Sequence, residues 1–301
     1  MTLMDRYQTL RDRIREQAFL LSLDIRPGDT VLDIGSGNRP HPRADVLVER
    51  FFGDDTGRSG PALRDKSLVV GDAHRLPFGD QAFDFTIARH VIEHLDDPAR
   101  FLAEIQRVSR AGYIEAPSEV SEKLHGYAFH KWFVSLDGQR LTLKPKPQPV
   151  FDPYLANTLG RLNHLPGAYR RFCSSHPELF LVRLKWSAQI EFEVEGNGPE
   201  DSVEGFEVQQ QSADAAAELR NWIKQGVKKP QKTPALGRLA RLATRMKQGK
   251  GNRRALEKLL ACPGCRGVVV ADGDTLVCAS CLLRYPVVEG IPVMLAQGRL
   301  T

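Results

Sequence analysis

The 301-residue chain lacks any run of about 18 apolar residues, so its sequence predicts no transmembrane helix. The first residues, MTLMDRYQTLRDRIREQ, are charged and lack the apolar core of a signal peptide, which leads us to expect a cytoplasmic protein. Cysteine is scarce: of five cysteines, four lie near the C-terminus and Cys173 stands apart. Closely spaced cysteines without a secretion signal favour metal binding over disulfide bonds.

Acidic residues are almost absent from residues 221–260, which hold twelve Lys or Arg and one acid, Glu257. This segment carries a net charge of +11, so the rest of the chain carries −6 within the total of +5. Aromatic residues are absent from 223–260, which argues against base stacking on single-stranded nucleic acid. Three interpretations stay open: a flexible connector, an amphipathic segment on an anionic membrane, or a contact with RNA or another polyanion.

A strand followed by a glycine turn stands near the N-terminus, with the sequence VLDIGSG at residues 31–37. The apolar residues predict a buried strand, and the two glycines predict a turn at which a ligand touches the main chain. A phosphate-binding turn favours bare amides or positive charge. The carboxylate of Asp33 instead favours a cationic or amine-bearing ligand.

Strand and helix patterns alternate after this motif. We predict strands at 30–34, 45–48, 67–70, 83–88 and 113–115, and a helix that begins at Pro98 after an N-cap at Asp97. Two further stretches, 180–186 and 189–194, are predicted to form a strand pair, and residues 5–22 a helix. The alternation predicts an α/β fold with a doubly wound parallel sheet, which binds ligands at the carboxyl ends of its strands.

These residues resemble the class I S-adenosylmethionine-dependent methyltransferases over about residues 25–118, with four motifs in order. The resemblance implies a doubly wound, mostly parallel seven-stranded methyltransferase sheet. It also implies that the glycine turn holds the amino-acid end of S-adenosylmethionine, that Glu49 binds its ribose, and that Asp72 binds its adenine. The implied cofactor-binding residues are Asp33, Gly35, Ser36, Gly37, Glu49, Asp72, Ala73 and Arg89.

A dinucleotide-binding fold is the competing interpretation of the glycine turn. That fold needs a third glycine where this chain has Pro40, and a ribose-binding acid about 20 residues further on. Here Glu49 follows Gly35 by only fourteen positions. The short interval also predicts that the helix that usually follows the turn is truncated to the stretch NRPHPR.

The acceptor side of the predicted pocket offers several titratable side chains. Methyl transfer is a displacement at a sulfonium carbon, in which positioning supplies much of the acceleration and a base serves poorly nucleophilic acceptors. The predicted catalytic residues are His90, Glu115 and His130, with His94 and His125 as further candidate bases. The run of residues 130–133 could supply a base, a cation and a stacking plane, although packing is the more ordinary role of its aromatic pair.

Two C-x-x-C pairs separated by twelve residues predict a metal site near the C-terminus. Four thiolates at this spacing suit structural Zn²⁺, and a domain of about 40 residues has too little core to fold without such support. Iron–sulfur ligation and a redox dithiol are the alternatives. The predicted ligands are Cys262, Cys265, Cys278 and Cys281.

The residues around these cysteines resemble the small zinc-ribbon activators that partner tRNA, rRNA and release-factor methyltransferases. The matching residues are Tyr285, Pro286, Val287, Gly290, Ile291, Pro292, Met294 and Leu295. The resemblance implies a ribbon that docks edge to edge on its methyltransferase. Because the ribbon and the methyltransferase domain would belong to one polypeptide here, we expect the ribbon to dock in cis.

Three segments follow from these patterns: a methyltransferase domain at 1–222 with an acceptor-side insertion at 118–180, a basic linker at 223–255, and a zinc ribbon at 256–301. The polar, aromatic insertion resembles the caps of bacterial enzymes that modify small molecules, and predicts an acceptor that is a small molecule, a sugar or a lipid-linked intermediate. The alternatives are methylation of tRNA or protein, and a non-catalytic adaptor that binds the donor.

Overall fold

The computed structural model describes residues 18–50, 67–127, 129–147, 168–196 and 252–295. The chain divides into two compact units. Unit 1 comprises Met1–Pro27, Ala88–Ala99 and Gly112–Ser202. Unit 2 comprises Gly28–Ile87, Arg100–Ala111 and Val203–Thr301.

Unit 2 is built on three short parallel strands: β1 (Val31–Ile34), β2 (Val46–Glu49) and β3 (Ser67–Gly71). Every residue of β1 and β2 is buried, which is typical of strands covered on both faces. The strands pair in the order β1, β2, β3. The predicted strands are therefore confirmed to within one residue at each end, and their carboxyl ends meet at one edge.

The next strand and helix agree with the sequence pattern in the same way. Strand β4 is Phe83–Arg89, α1 is Pro98–Val108 and β5 is Ser109–Pro117. Helix α1 begins at the predicted proline, whose fixed φ suits the first helical position. Its apolar face is fully buried and consists of Phe101, Leu102, Ile105 and Val108. Strand β5 is longer than predicted, because it begins directly where α1 ends.

Residues 252–295, here called the C-terminal segment, also belong to unit 2. They form α5 (Asn252–Leu259), β10 (Val269–Asp272), β11 (Thr275–Cys278), β12 (Arg284–Val288) and β13 (Ile291–Met294). The strands β10 to β13 pair in antiparallel order, and β13 then pairs in parallel with β3. One sheet of unit 2 therefore runs β10-β11-β12-β13-β3-β2-β1-β4, which differs from the expected seven-stranded sheet beside a separate small domain.

The junction between β13 and β3 is closely packed. Val293 and Met294 lie opposite Val70 and Gly71, and both are fully buried. On β3 itself, a Cβ on Gly71 would lie 3.1 Å from Pro77 and 3.3 Å from Val48, so the glycine leaves room for these two side chains. A main-chain hydrogen bond also attaches the C-terminal segment to the rest of unit 2, because Ala261 N donates to Pro77 O at 2.9 Å.

Truncation of Val293 to alanine is expected to lower the free energy of unfolding by about 2 kcal/mol, because the lost methyl groups leave a cavity at this junction. Val270→Ala is the matched control in the same segment. Val270 is 56% exposed, so its truncation should change the stability by less than about 0.5 kcal/mol. Urea unfolding of both variants measures the difference, and equal effects would contradict a buried role for Val293.

Unit 1 contains a second, three-stranded sheet. Strands β6 (Trp132–Asp137) and β7 (Arg140–Pro145) form an antiparallel hairpin, and β9 (Glu191–Val194) pairs in parallel with β7. This hairpin lies in the predicted insertion and was not predicted. Unit 1 also contains α2 (Glu119–His125), α3 (Ala168–Ser175), α4 (Pro177–Phe180) and β8 (Leu181–Ser187).

The prediction that residues 180–186 and 189–194 pair with each other is wrong. Strand β8 is the neighbour of β5, whereas β9 belongs to the three-stranded sheet. The chain changes direction between them at Ala188, which takes the left-handed conformation with φ 64°. A sharp turn of this kind directs the two strands into different sheets.

Several predictions fall outside the described residues. These are the helix at 5–22 up to residue 17, the polar stretch 197–214, and the basic linker with its amphipathic piece up to residue 251. Helix α5 crosses the predicted linker boundary at residue 255. In the described ranges, the helices are all too short or too polar to cross a membrane.

Candidate functional site

The glycine turn after β1 has the backbone geometry that its sequence predicts. Gly35 and Gly37 have φ values of 64° and 55°, a region that favours glycine. Gly35 N donates to Val48 O at 2.9 Å, which ties the turn to β2. Residues 36–45 contain turns and no helix, in agreement with the predicted truncation of the following helix.

Glu49, the last residue of β2, lies against this turn. Its Oε1 accepts a hydrogen bond from Gly37 N at 2.6 Å and another from Ser36 Oγ at 3.2 Å. The side chain is only 3% exposed, so these hydrogen bonds are shielded from water. The structure thus brings Glu49 together with the glycine turn, although they are separated by twelve residues of sequence.

Asp33 and Asp72 complete a set of three carboxylates in unit 2. Asp33 is 1% exposed, and its Oδ2 accepts a hydrogen bond from His41 N at 2.7 Å. Asp72 directly follows β3 and accepts from His74 N at 2.9 Å. Since β1, β2 and β3 are parallel neighbours, Asp33, Glu49 and Asp72 come from three adjacent strands at one sheet edge.

Asp72 remains ionised at physiological pH. Burial alone would raise its pKa, but the hydrogen bonds from His74 and the charge of Arg50 outweigh that effect and lower the pKa to about 2. Arg50 Nη1 lies 3.2 Å from Asp72 Oδ2, and His74 Nδ1 lies 2.8 Å from Oδ1. The predicted adenine-binding acid is therefore a fixed carboxylate.

This pKa predicts that Asp72 stabilises the fold in a pH-dependent manner. Because the folded-state pKa of about 2 lies below the ordinary value of 3.8, the contribution is present above about pH 4 and is lost as the pH falls towards 2. We expect Asp72→Asn to lower the free energy of unfolding by about 1 kcal/mol near pH 5 and by less near pH 3, since the side chain is partly exposed. Urea unfolding of both proteins tests this, and a pH-independent difference would contradict it.

In unit 1, the predicted residues His90 and Glu115 lie side by side. His90 N donates to Glu115 O at 2.8 Å, and its ring lies between two acids, with Nδ1 3.4 Å from Glu93 Oε1 and Nε2 3.7 Å from Glu115 Oε1. Burial would lower the pKa of His90, but the two carboxylates outweigh it and raise the pKa. His90 also has a φ of 55°, an uncommon conformation for this residue that is frequent at functional sites.

Glu115 is buried and firmly held. Its Oε2 accepts a hydrogen bond from Tyr113 Oη at 2.6 Å and from Arg183 Nε at 3.0 Å. Burial and the charge of Glu115 both raise the pKa of Tyr113 above its usual range, which keeps the phenol protonated as a donor. Sequence reasoning missed both Tyr113 and Arg183 as partners of Glu115. Arg183 was not predictable because it reaches Glu115 from a strand that is distant in the sequence.

His130 is buried in a network that the sequence did not reveal. Its Nδ1 contacts Glu122 Oε1, and Lys146 Nζ donates to Glu122 Oε2 at 2.8 Å. Glu122 is fully buried, and Lys146 is 3% exposed. The carboxylate therefore orients the His130 ring and is neutralised by the lysine.

The stretch 130–133 does not assemble the base, cation and stacking plane that were predicted as one possibility. Lys131 pairs with Asp96, and Trp132 Nε1 donates to Leu95 O at 2.7 Å. Trp132 and Phe133 are 1% and 8% exposed, so both aromatic rings pack in the core. Residues that alternate along β6 point to opposite faces, which separates their side chains.

The four C-terminal cysteines form one cluster. They are free thiols whose Sγ atoms all lie within 4.8 Å of one another. Cys262 Sγ lies 3.6 Å from Cys281 Sγ, and Cys265 Sγ lies 3.4 Å from Cys278 Sγ. These separations are close to those of four sulfurs around one ion with metal–sulfur bonds of about 2.3 Å. The donor set therefore fits the metal that the cysteine spacing predicts.

Comparison with known proteins shows what this chain resembles. Residues 54–114 match the family model described as "Methyltransferase domain". The chain is similar to two demethylmenaquinone methyltransferases, one from Thermobifida fusca (31% identity over 129 residues, 37% of this chain and 55% of the relative) and one from Beutenbergia cavernae (36% over 107 residues, 34% and 45%). The chain thus spans about half the length of these curated relatives.

Among solved structures, a similar one is an S-adenosylmethionine-dependent methyltransferase from Mesorhizobium loti. The two chains share 16% sequence identity, and the aligned region covers 56% of this chain and 96% of the Mesorhizobium loti chain, with a TM-score of 0.32. The domain match and the methyltransferase relatives support a methyltransferase domain in this chain.

Proposed function

We propose that this chain transfers a methyl group from S-adenosylmethionine to a small molecule, a sugar or a lipid-linked intermediate. The observation that carries the donor assignment is the set of three carboxylates at the edge of β1, β2 and β3, one of which is bonded to the glycine turn. Bound there, S-adenosylmethionine supplies an electrophilic methyl group on a sulfonium ion.

The chain's own residues divide the work of binding this donor. Asp33 and the turn residues Gly35, Ser36 and Gly37 hold the charged amino-acid end. Glu49 accepts from the ribose hydroxyls, since a carboxylate can accept two hydrogen bonds from a diol. Asp72, with Ala73 beside it, accepts from the adenine amine, and its low pKa keeps it an acceptor. Arg89 is assigned to the methyl-donor pocket by resemblance.

On the acceptor side, we assign His90 and Glu115 to positioning and proton transfer. The carboxylates of Glu93 and Glu115 raise the pKa of His90, which favours the protonated form that can donate to an acceptor oxygen. Glu115 holds its place through Tyr113 and Arg183. His130 was predicted as a catalytic residue, but its burial and its contact with Glu122 favour a role in positioning other groups.

We also propose that the cysteine cluster binds structural Zn²⁺ and that the C-terminal segment acts as a zinc ribbon that stabilises the sheet in cis. The four thiolates support the zinc assignment, and the pairing of β13 with β3 supports the docking. If deletion of residues 256–301 left solubility and donor affinity unchanged, the cis-stabilisation proposal would be wrong.

The acceptor class can be tested directly. The demethylmenaquinone methyltransferases among the relatives favour a small or lipid-like acceptor. Purified full-length protein is incubated with donor carrying a labelled methyl group and with separate RNA, protein, lipid and small-molecule fractions. We expect label in the lipid or small-molecule fraction. Label only in RNA or protein would refute this acceptor class.

A second candidate is methylation of tRNA or protein, which the net charge of +11 over residues 221–260 favours. The same labelled fractions distinguish it. A third candidate, a non-catalytic adaptor, predicts donor binding without release of S-adenosylhomocysteine from any fraction. Calorimetry with donor and product, combined with product analysis, separates the adaptor from both enzymes.

A further inference from the structure

Three side chains of unit 1 converge on one point. They are Glu93 and His94, in the short 3-10 turn Ile92–His94, and His130. One carboxylate oxygen and one ring nitrogen from each histidine lie within 4.8 Å of one another. Across the described ranges, the four cysteines are the other group with such geometry.

Glu93 is the unusual member of this cluster. The residue is fully buried, and neither of its carboxylate oxygens has a hydrogen-bond partner among the described residues. His90 Nδ1 at 3.4 Å and His94 Nε2 at 3.9 Å both face the same oxygen, Glu93 Oε1, and the carboxylate raises the pKa of His90. No ion pair is formed by Glu93 Oε2 among the described residues, and a buried carboxylate oxygen without a hydrogen bond is costly unless a cation binds it.

His130 is oriented as metal-binding histidines are. Its Nδ1 is taken by Glu122 Oε1, which leaves Nε2 for another partner. A carboxylate on the remote nitrogen fixes the tautomer and raises the basicity of the ligating nitrogen. Lys146 holds the other oxygen of Glu122 at 2.8 Å, so this outer contact is itself fixed.

His94 is the most exposed member of the cluster. Its ring stacks on the Phe129 ring with a centroid distance of 5.6 Å. Its Nε2 faces Glu93, and the ring meets the His130 ring edge-on at 4.6 Å. The His94 side chain is 36% exposed, whereas Glu93 and His130 are buried. An ion could therefore enter past His94.

We propose that Glu93, His94 and His130 bind a divalent first-row transition ion, Zn²⁺ foremost. Two imidazoles and one carboxylate suit such ions, whereas Mg²⁺ and Ca²⁺ prefer oxygen ligands throughout. Three protein ligands leave a coordination position open for water or for an oxygen of a bound molecule. The proposal gives His130 a ligand role in place of proton transfer, and it does not depend on methyl transfer.

The test measures metal content and visible absorption of the purified full-length chain, loaded with Zn²⁺ or with Co²⁺ and then freed of unbound metal. We expect one ion beyond that held by the cysteines. Cobalt bound by thiolates has a charge-transfer band, which cobalt at Glu93, His94 and His130 lacks. The charge-transfer band therefore reports the cobalt bound by the cysteines separately from the total cobalt. This separates the second ion from the first even if the cysteine cluster is only partly loaded.

Four variants make the assignment specific. His94→Gln and Glu93→Gln are expected to lose the second ion while the charge-transfer band stays unchanged. Glu122→Gln, which replaces no ligand but weakens the contact with His130 and removes the charge opposite Lys146, should lower the affinity for the second ion by about 10- to 100-fold. His176→Gln, at an exposed histidine outside the cluster, should bind as the wild type does.

Circular dichroism and thermal unfolding establish that each variant is folded. Of the ligand variants, His94→Gln alters the most exposed side chain, so it keeps the test valid if Glu93→Gln does not fold. Two results overturn the proposal: a wild-type protein that binds no metal beyond the cysteine-bound ion, or a folded His94→Gln variant that binds the second ion as tightly as the wild type.

Discussion

Replacement of Cys278 by serine is expected to abolish metal binding at the cysteine cluster and to unfold the C-terminal segment. Structural zinc contributes about 10–16 kcal/mol of apparent binding free energy near pH 7 in small domains. A domain of about 40 residues has little core to replace that contribution. Elemental analysis should show the loss of one zinc, and limited proteolysis should show cleavage within residues 252–295.

Cys173→Ser is the matched control, because Cys173 lies in unit 1 and does not belong to the cluster. It should retain the full zinc content and the wild-type melting temperature. If Cys278→Ser also kept the full zinc content and the wild-type melting temperature, the four thiolates would not form a structural metal site. A chelator added to the wild-type protein should reproduce the proteolysis of the C-terminal segment seen in Cys278→Ser, and it should not increase that proteolysis further in the Cys278→Ser variant.

Replacement of Glu49 by glutamine is expected to weaken the binding of S-adenosylmethionine by about 30-fold, or about 2 kcal/mol. The substitution keeps the size of the side chain but removes the charge that strengthens its hydrogen bonds. Those bonds hold Gly37 N at 2.6 Å, and by our proposal also the ribose hydroxyls. Calorimetric titration with the donor and with S-adenosylhomocysteine measures both affinities, which should fall together.

Asp24→Asn serves as the control for loss of one carboxylate, because the Asp24 side chain is 84% exposed and lies outside the proposed donor site. Its donor affinity should match that of the wild type. Far-UV circular dichroism of Glu49→Gln should be unchanged, since only a local contact is altered. A folded Glu49→Gln variant with wild-type affinity would remove Glu49 from the donor site.

Patterns that depend on neighbouring residues were predicted well. The apolar runs of β1, β2 and β3 are short and bounded by turn residues, and the structure confirms all three strands. Pro98 begins α1 as expected, because proline at a first helical position has no amide hydrogen to leave unbonded. The cysteine spacing likewise predicted the observed thiol cluster, since each C-x-x-C turn brings two sulfurs together.

Contacts between distant residues were not predictable in the same way. The pairing of β8 and β9 was wrong, because the left-handed residue Ala188 directs them into different sheets. Glu122 and Lys146 were missed, because nothing in their local sequence indicates that both meet near His130. Glu93 was not considered as a ligand, since only its complete burial distinguishes it from a surface acid.

The sequence by itself determined the local features of the two predicted sites. These are the glycine turn, the acids that follow successive strands and the paired cysteines, whose chemistry follows from their spacing. The tertiary structure alone revealed that β13 extends the sheet at β3, that Glu49 bonds to the glycine turn, and that Glu93 meets two histidines. The reason is physical. Strand and turn formation depend on nearby residues, whereas burial and the meeting of charges depend on how the whole chain packs.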